Sequence, residues 1–221
     1  MKFKGKNQMS TETLALGAIL TALVVVLQFM GSFIHLGMFS ISLVLIPIVI
    51  GAATCGVGVG AWLGFAFGVT VLLSGDASAF LAVDVFGTIV TVLLKGTACG
   101  FVAGLVYKAL EKINRYAAVF AAAIVCPIVN TGVFVLGSFI FFLDTLSEWG
   151  ASFGYDNVVT YMFVGMIGFN FLFELGFNLV LSPIVVTLLK MRKKNTYTRS
   201  KELHSEPDVT QMHNDSNTDG N

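Results

Sequence analysis

The chain has 221 residues, of which 56% are hydrophobic and only 12% are charged, and its formal net charge at pH 7 is zero. A soluble domain carries about 25% charged residues, so this composition excludes an ordinary soluble protein and indicates an integral membrane protein. The balanced charge gives no reason to expect a nucleic-acid partner. No alternating ten-residue strands appear along the chain, so we predict an all-α fold.

Six apolar segments follow one another along the chain, and a helix of about 20 residues is enough to cross a membrane. The second segment is the shortest. We therefore predict six transmembrane helices, with a short N-terminus at 1–12, a six-helix membrane domain at 13–192 and a disordered polar tail at 193–221. The predicted spans are 14–33, 38–53, 57–73, 85–107, 117–143 and 158–189.

Basic residues set the orientation of these spans. They occur in three clusters, before the first span, after the fourth and after the sixth: Lys2, Lys4 and Lys6; Lys108, Lys112 and Arg115; Lys190, Arg192, Lys193 and Lys194. With six spans, all three clusters lie on one face of the membrane, and the opposite connections contain acidic residues but no Lys or Arg. Because basic loops stay inside, we expect both termini to be cytoplasmic.

Small residues recur every four positions in three of the spans. In the third and fourth spans they are Gly56, Gly60, Gly64 and Gly68, and then Gly96, Gly100 and Gly104. Such stripes allow helix backbones to approach closely, and packing within the chain is the favoured interpretation for both. In the first span Ala18 and Ala22 repeat the spacing on an otherwise plain surface near the cytoplasm. We expect this helix to dock a partner.

Polar side chains inside the spans are few, and a buried charge there is costly unless it is paired or functional. Lys95 lies in the middle of the fourth span, and Glu174 lies in the sixth between two asparagines at a spacing of four. We expect a polar cavity formed by Lys95, Asn130, Thr131, Asn170, Glu174 and Asn178. Two interpretations stay open: Lys95 pairs with Glu174 as a purely structural arrangement, or its charge faces a substrate.

Motifs for catalysis are absent from the sequence. It contains no GxSxG elbow, no HExxH zinc motif and no P-loop, so we expect no enzymatic activity, and ATP hydrolysis would belong to other subunits. We expect no metal and no cofactor, because no ligand cluster has the required spacing. Six spans without matching halves are few for a self-sufficient carrier, although a stand-alone secondary carrier or channel for a small polar solute is the alternative.

Several segments together resemble the substrate-binding S component of an energy-coupling factor (ECF) vitamin transporter. The resemblance covers about residues 10–192 and depends on the number and orientation of the spans and on the order of four motifs. These are the Ala-rich start at 14–22, the stretch from Asp84 through Lys95 and Gly96 to Tyr107, the Pro-containing stretch at 126–132, and the end of the sixth span at Ser182 and Pro183.

This resemblance implies a multi-pass protein of a prokaryotic cell membrane that binds a vitamin and works with a coupling transmembrane subunit and two ATPase subunits. It also implies that Leu14, Ala18 and Ala22 contact the coupling subunit and that loops 31–38 and 74–83 act as lids. For the substrate, Lys95 would suit an anionic vitamin such as pantothenate. If Glu174 neutralises Lys95, a neutral vitamin such as riboflavin would suit the Asn and Thr groups equally well.

Overall fold

The computed structural model describes residues 11–32, 35–36, 39–40 and 43–205 of the chain. Almost all of them are helical, which confirms the predicted all-α class, and two short strands pair antiparallel with His35 opposite Ser40. In chain order the elements are α1 (Thr11–Gly31), β1 (His35–Leu36), β2 (Phe39–Ser40), α2 (Leu45–Cys55), α3 (Val57–Ser74), α4 (Ser78–Leu81), α5 (Val85–Leu110), α6 (Arg115–Phe141), α7 (Leu143–Ser152), α8 (Val158–Thr160), a π-helix (Tyr161–Ile167) and α9 (Gly168–Ser205).

Five helical segments of the described chain are long and apolar enough to cross a membrane: α1, α3, α5, α6 and the part of α9 at Asn170–Thr187. The protein is therefore a multi-pass membrane protein by the length and composition of its helices. The second predicted span corresponds to α2, which has only 11 residues. At 1.5 Å per residue it is roughly 16 Å long, about half the thickness of the hydrocarbon core.

The sixth predicted span is divided in the structure. It begins with α8, continues through the seven-residue π-helix and then enters α9. The backbone of α9 stays helical to Ser205, which includes the first part of the predicted tail. The rest of that tail, 206–221, and most of the predicted N-terminus, 1–10, lie outside the described residues, so the disorder of the tail stays a prediction. The chain divides into two compact units, 1–186 and 187–221, and the features described below belong to the first.

Helices α3 and α5 touch along their backbones, and we call this contact the glycine seam (Gly60, Gly64 and Gly68 of α3 with Gly96 and Gly100 of α5). A Cβ atom added at Gly60 would lie 2.7 Å from the carbonyl oxygen of Gly100, and one at Gly68 would lie 2.9 Å from that of Val92. The predicted packing of the two stripes within the chain is confirmed.

Gly56 does not take part in this seam. It lies between α2 and α3 with a φ of 97°, and nothing approaches its Cβ position within 4 Å. This positive φ favours glycine over other residues, so Gly56 forms the turn between the two helices. The packed stripe therefore begins at Gly60 and not at Gly56.

Side-chain caps fix where two of the long helices begin. The Asp84 side chain accepts a hydrogen bond from the backbone N–H of Phe86 at 3.0 Å, and Asn114 accepts from Tyr116 and Ala117 at the start of α6. Asp and Asn are preferred N-caps because they satisfy N–H groups that lack a helical partner. The start of α5 at Val85 places Lys95 at its eleventh residue, roughly 15 Å along the helix axis.

Candidate functional site

A cavity opens among the helices at the end where α1, α3 and α6 finish and α5 and α9 begin. Its wall is formed by both polar and apolar side chains, and five of the apolar ones are phenylalanines. The polar lining residues are Gln28, Asp76, Thr88, Thr91, Lys95, Asn130, Thr131, Asn170 and Glu174, and the apolar ones are Phe67, Val71, Ala77, Phe80, Val92, Phe134, Phe142, Met166, Ile167 and Phe171.

Helix α5 supplies one polar face of the cavity. Thr88, Thr91 and Lys95 follow one another at spacings of three and four, which places them on the same side of a helix. The Thr88 hydroxyl donates to the carbonyl oxygen of Asp84 at 2.6 Å. The Thr91 hydroxyl is buried and has no hydrogen-bond partner in the described part of the chain. This face therefore presents one satisfied hydroxyl, one unsatisfied hydroxyl and one cation.

The ammonium group of Lys95 lies against aromatic rings. Its Nζ atom is 5.1 Å from the ring centroid of Phe134 and 5.9 Å from that of Phe67, distances at which the ring faces attract a cation. Glu174 and Asp76 line the same cavity as this ammonium group. Lys95 is half-buried because it is accessible from the cavity. Two rings therefore lie beside its charge, and two carboxylates share the cavity wall with it.

Helix α9 supplies a second polar face of the cavity. The Asn170 side-chain nitrogen donates to Glu174 Oε1 at 3.4 Å. The Oδ1 atom of Asn170 is buried without a hydrogen-bond partner among the described residues. The predicted pairing of these residues on one helical face is present in the structure.

Asn178 lies one helical turn beyond Glu174 and is not among the residues that line the cavity. It is 4% exposed, and its side chain donates to the backbone carbonyl of Glu174 at 3.1 Å. Its own carbonyl accepts from the Ser182 hydroxyl at 2.7 Å. These bonds tie Asn178 into α9 itself, and its expected role in substrate binding stays a prediction.

Helix α6 contributes the third polar group of the wall. Asn130 is only 6% exposed, and its Oδ1 atom has no hydrogen-bond partner in the described chain. Thr131 follows it and also lines the cavity. Both come just after Pro127, which lies inside α6 and cannot donate the usual helical hydrogen bond.

A polar link joins α1 to the turn after α3 beside the cavity. The Gln28 side-chain nitrogen donates to Asp76 Oδ2 and lies 3.4 Å from the Ser74 hydroxyl. Gly75, with a φ of 87°, ends α3 in the left-handed conformation, and this turn brings Asp76 toward α1. Gln28 is 2% exposed, so it belongs to the buried wall of the cavity.

The family of the chain follows from a comparison with protein-family models. The model described as "ECF transporter, substrate-specific component" matches residues 12–186. The chain belongs to this family. No curated protein and no solved structure is significantly similar to this S component. The matched region contains every residue that lines the cavity, and the family identifies the protein as the substrate-binding subunit of a transporter and not as an enzyme.

Five of the six substrate-binding residues predicted for this S component meet at the cavity: Lys95, Asn130, Thr131, Asn170 and Glu174. Thr88 and Thr91 were not predicted, although their spacing to Lys95 is a usable signal in the sequence. The contact between Gln28 and Asp76, which are 48 residues apart, and the aromatic wall were not predicted either. No local pattern in the sequence indicates these contacts.

The π-helix completes the wall of the S component. Its last two residues, Met166 and Ile167, line the cavity, and α9 reaches Asn170 three residues later. Short π-helical stretches are rare in proteins, and those that occur often lie at functional sites. The sequence predicted one uninterrupted helix here, because a shift of backbone hydrogen bonds has no signature in composition.

The residues predicted for docking lie on one exposed face of α1. Leu14 is 53% exposed, and Ala18 and Ala22 are exposed as well. On the other side of the same helix, Leu20 and Val24 are buried. Helix α1 therefore packs on the rest of the protein through one side and leaves the face with Leu14, Ala18 and Ala22 exposed.

Proposed function

We propose that this S component binds a vitamin or related micronutrient in the cavity and delivers it through a coupling transmembrane subunit driven by two ATPase subunits. One observation carries the proposal: three buried polar atoms in the cavity wall, Thr91 Oγ1, Asn130 Oδ1 and Asn170 Oδ1, have no hydrogen-bond partner in the described chain. Each such atom costs about 1–3 kcal/mol when it is left unsatisfied. A wall of this kind favours a bound polar ligand.

For the binding residues we propose the set that the sequence indicated: Lys95, Asn130, Thr131, Asn170 and Glu174, with Asn178 supporting Glu174 from the next turn. A cation among them suits a carboxylate such as that of pantothenate, and the amides suit a neutral, hydrogen-bonding vitamin such as riboflavin. Both vitamin classes are therefore candidates for the substrate.

For the topology we propose six crossings, with α2 as the short second one, both termini in the cytoplasm and the cavity at the outer side. Charge supports this orientation, because Asp76 and Asp84 lie at the cavity end of the helices. At the opposite end, Lys108 lies in the last turn of α5, Lys112 in the connection and Arg115 at the start of α6. Cytoplasmic connections are enriched in basic residues.

Labelling of single cysteines in intact cells tests this orientation. In a chain in which Cys55, Cys99 and Cys126 are replaced by alanine, an impermeant maleimide should label Asp156→Cys directly. Lys112→Cys should react only after the membrane is permeabilised. Both positions are exposed, so access to the reagent is the difference measured. The reverse pattern would overturn the orientation.

For the partner we propose that the face of α1 formed by Leu14, Ala18 and Ala22 contacts the coupling subunit. Small residues let two membrane helices approach closely, and the exposure of this face supports the proposal. A bulky side chain at Ala18 should hold the helices apart.

Co-purification with tagged partner subunits tests the function. The wild-type protein should carry the coupling subunit and both ATPases with it, and the complex in proteoliposomes should take up its substrate only with ATP. Ala18→Trp should lose the partners. Ile19→Trp, exposed at the same depth on a neighbouring face, should keep them. Substrate uptake by the S component alone would instead support a stand-alone carrier.

A further inference from the structure

We propose that the ligand of this cavity is an uncharged ring compound that donates N–H or O–H hydrogen bonds to Asn130 and Asn170, and that it is not a carboxylate held by Lys95. The inference rests on the proposed function of the cavity and narrows its substrate to one of the two vitamin classes. Three features of the wall carry it: the unpartnered asparagine oxygens, the charge balance and the aromatic surface.

The direction of the Asn170 amide is fixed by its neighbour. An ionised carboxylate only accepts hydrogen bonds, so the Asn170 nitrogen must face Glu174, as it does at 3.4 Å. The Oδ1 atom then points away from Glu174 and is left without a partner among the described residues. A carbonyl oxygen accepts hydrogen bonds and cannot donate them, so a ligand satisfies it with an N–H or O–H group.

Asn130 on α6 adds a second acceptor of this kind to the wall. Its Oδ1 atom is buried and unpartnered in the described chain, and the residue is 6% exposed. Two unsatisfied acceptors from two helices thus line one cavity. The carboxylate group of a ligand has only acceptor oxygens, so a carboxylate placed against these two atoms would leave both of them unsatisfied.

The charge balance of the wall also disfavours an anion. The charged side chains among the lining residues are one cation, Lys95, and two carboxylates, Asp76 and Glu174. The rings of Phe67 and Phe134 already face the ammonium group. A ligand carboxylate would place a third negative charge beside a single positive one, and like charges at close range repel strongly in a poorly solvated site.

The aromatic surface favours a flat ring. Phe134 and Phe142 both lie edge-on to Phe80, with centroid distances of 5.7 and 5.1 Å. Together with Phe67 and Phe171 they give the cavity five phenylalanine rings. Aromatic rings pack well against one another in offset and edge-to-face arrangements, so a planar ligand gains apolar contact while its edge reaches the asparagines.

A binding panel on the purified protein tests the inference. The probes are three neutral rings, riboflavin, pyridoxine and nicotinamide, and three carboxylates, pantothenate, biotin and nicotinate. Nicotinamide and nicotinate differ mainly in charge and in the amide N–H. Titration calorimetry should find the tightest binder among the neutral rings. A carboxylate as the tightest binder, or no binding by any neutral ring, would overturn the inference.

The donor requirement is tested by methylation. The tightest-binding ring is compared with a derivative in which its N–H or O–H donor is methylated, which removes the donor and keeps the charge. Affinity should fall on the order of tenfold or more, since an unpaired buried acceptor remains. In Asn170→Leu the parent ring should lose a similar factor and methylation should then cost little more. Equal affinities of parent and methylated rings for the wild-type protein would contradict the proposal.

Controls separate this result from misfolding and from failure of the wider function. Thr97→Val, a site on α5 that does not line the cavity, should bind the ring as the wild-type protein does. If Asn170→Leu does not fold, Asn130→Leu provides the same comparison. Co-purification with the coupling and ATPase subunits is independent of ligand class, so an S component that assembles with them but binds a carboxylate would overturn only this inference.

Discussion

The two faces of α5 are built in opposite ways. One face carries Gly96 and Gly100 and lies directly on the backbone of α3, so that a Cβ atom has no room there. The other face carries Thr91 and Lys95. These two side chains border an open cavity whose wall contains unsatisfied polar atoms. The glycine seam is packed without space for a side chain, whereas the cavity has polar groups that a ligand can bind. A closely packed seam supports the cavity because it holds α5 at a fixed distance from α3.

Of the changes that test this difference between the two faces, removal of the Lys95 charge should have the largest effect on the free energy of unfolding. Lys95→Met leaves Glu174, which is 4% exposed, without the cation that acts on it, and we expect a loss of about 3 kcal/mol in the free energy of unfolding. Lys95→Met combined with Glu174→Gln should regain most of this loss. Thermal unfolding in detergent is measured for Lys95→Met, for Glu174→Gln and for the double variant. If the loss in the double variant equals the sum of the losses in the two single variants, the residues are not electrostatically coupled.

Filling the glycine seam should have the next largest effect. Gly64→Ala places a Cβ atom against the backbone of Gly96, which cannot move without moving α5, and we expect a loss of about 2 kcal/mol in unfolding free energy. Gly58→Ala is the matched control, because it lies in the same helix with nothing within 4 Å of its Cβ position. The control should melt at or slightly above the wild-type temperature. Equal melting temperatures of the two variants would mean that the seam is not tightly packed.

Breaking the link between α1 and the turn after α3 should have a smaller effect. Gln28→Leu removes the donor to Asp76 and should lower the unfolding free energy by about 1.5 kcal/mol. It should also speed ligand release, since this link borders the cavity. Thr21→Val removes a hydroxyl of the same helix that accepts from Trp62 away from the cavity, and it should leave the release rate unchanged. Stopped-flow displacement measures the rate, and identical rates for both variants would argue against a role of Gln28 at the cavity.

The smallest effect should come from the unsatisfied hydroxyls. Thr91→Val and Ser138→Ala each remove a buried hydroxyl without a partner in the described chain, and each should raise the unfolding free energy of the ligand-free protein by about 1 kcal/mol or less. Only Thr91 lines the cavity, so only Thr91→Val should weaken ligand binding, by a few-fold. A loss of affinity in Ser138→Ala, or none in Thr91→Val, would contradict this assignment.

The sequence predicted the parts of the molecule that depend on local spacing. The span at 85–107 corresponds to α5 at Val85–Leu110. The recurrence of glycine at every fourth residue predicted the seam, because helical periodicity places such residues on one stripe. The same periodicity placed Asn170 and Glu174 together. Lys95 stood out because a cation inside a span is costly.

Features that depend on distant contacts or on backbone detail were not predicted. Gln28 and Asp76 meet only because Gly75 ends α3 in a left-handed turn, and their sequence separation hides the contact. The segment after α6 was expected to be an acidic loop, but it contains α7, whose Leu146 is fully buried and whose Trp149 packs edge-on against Phe80. Only the assembled helices create the surface that these side chains cover.

The most direct test of the central claim is an experimental structure of the protein with its substrate bound. The account predicts that the ligand lies between α5, α6 and α9, with donor groups within hydrogen-bond distance of Asn130 and Asn170 and with a ring against Phe134. The glycine seam should be unchanged by binding. A ligand located outside this cavity, or one that leaves both asparagines without contact, would contradict the account.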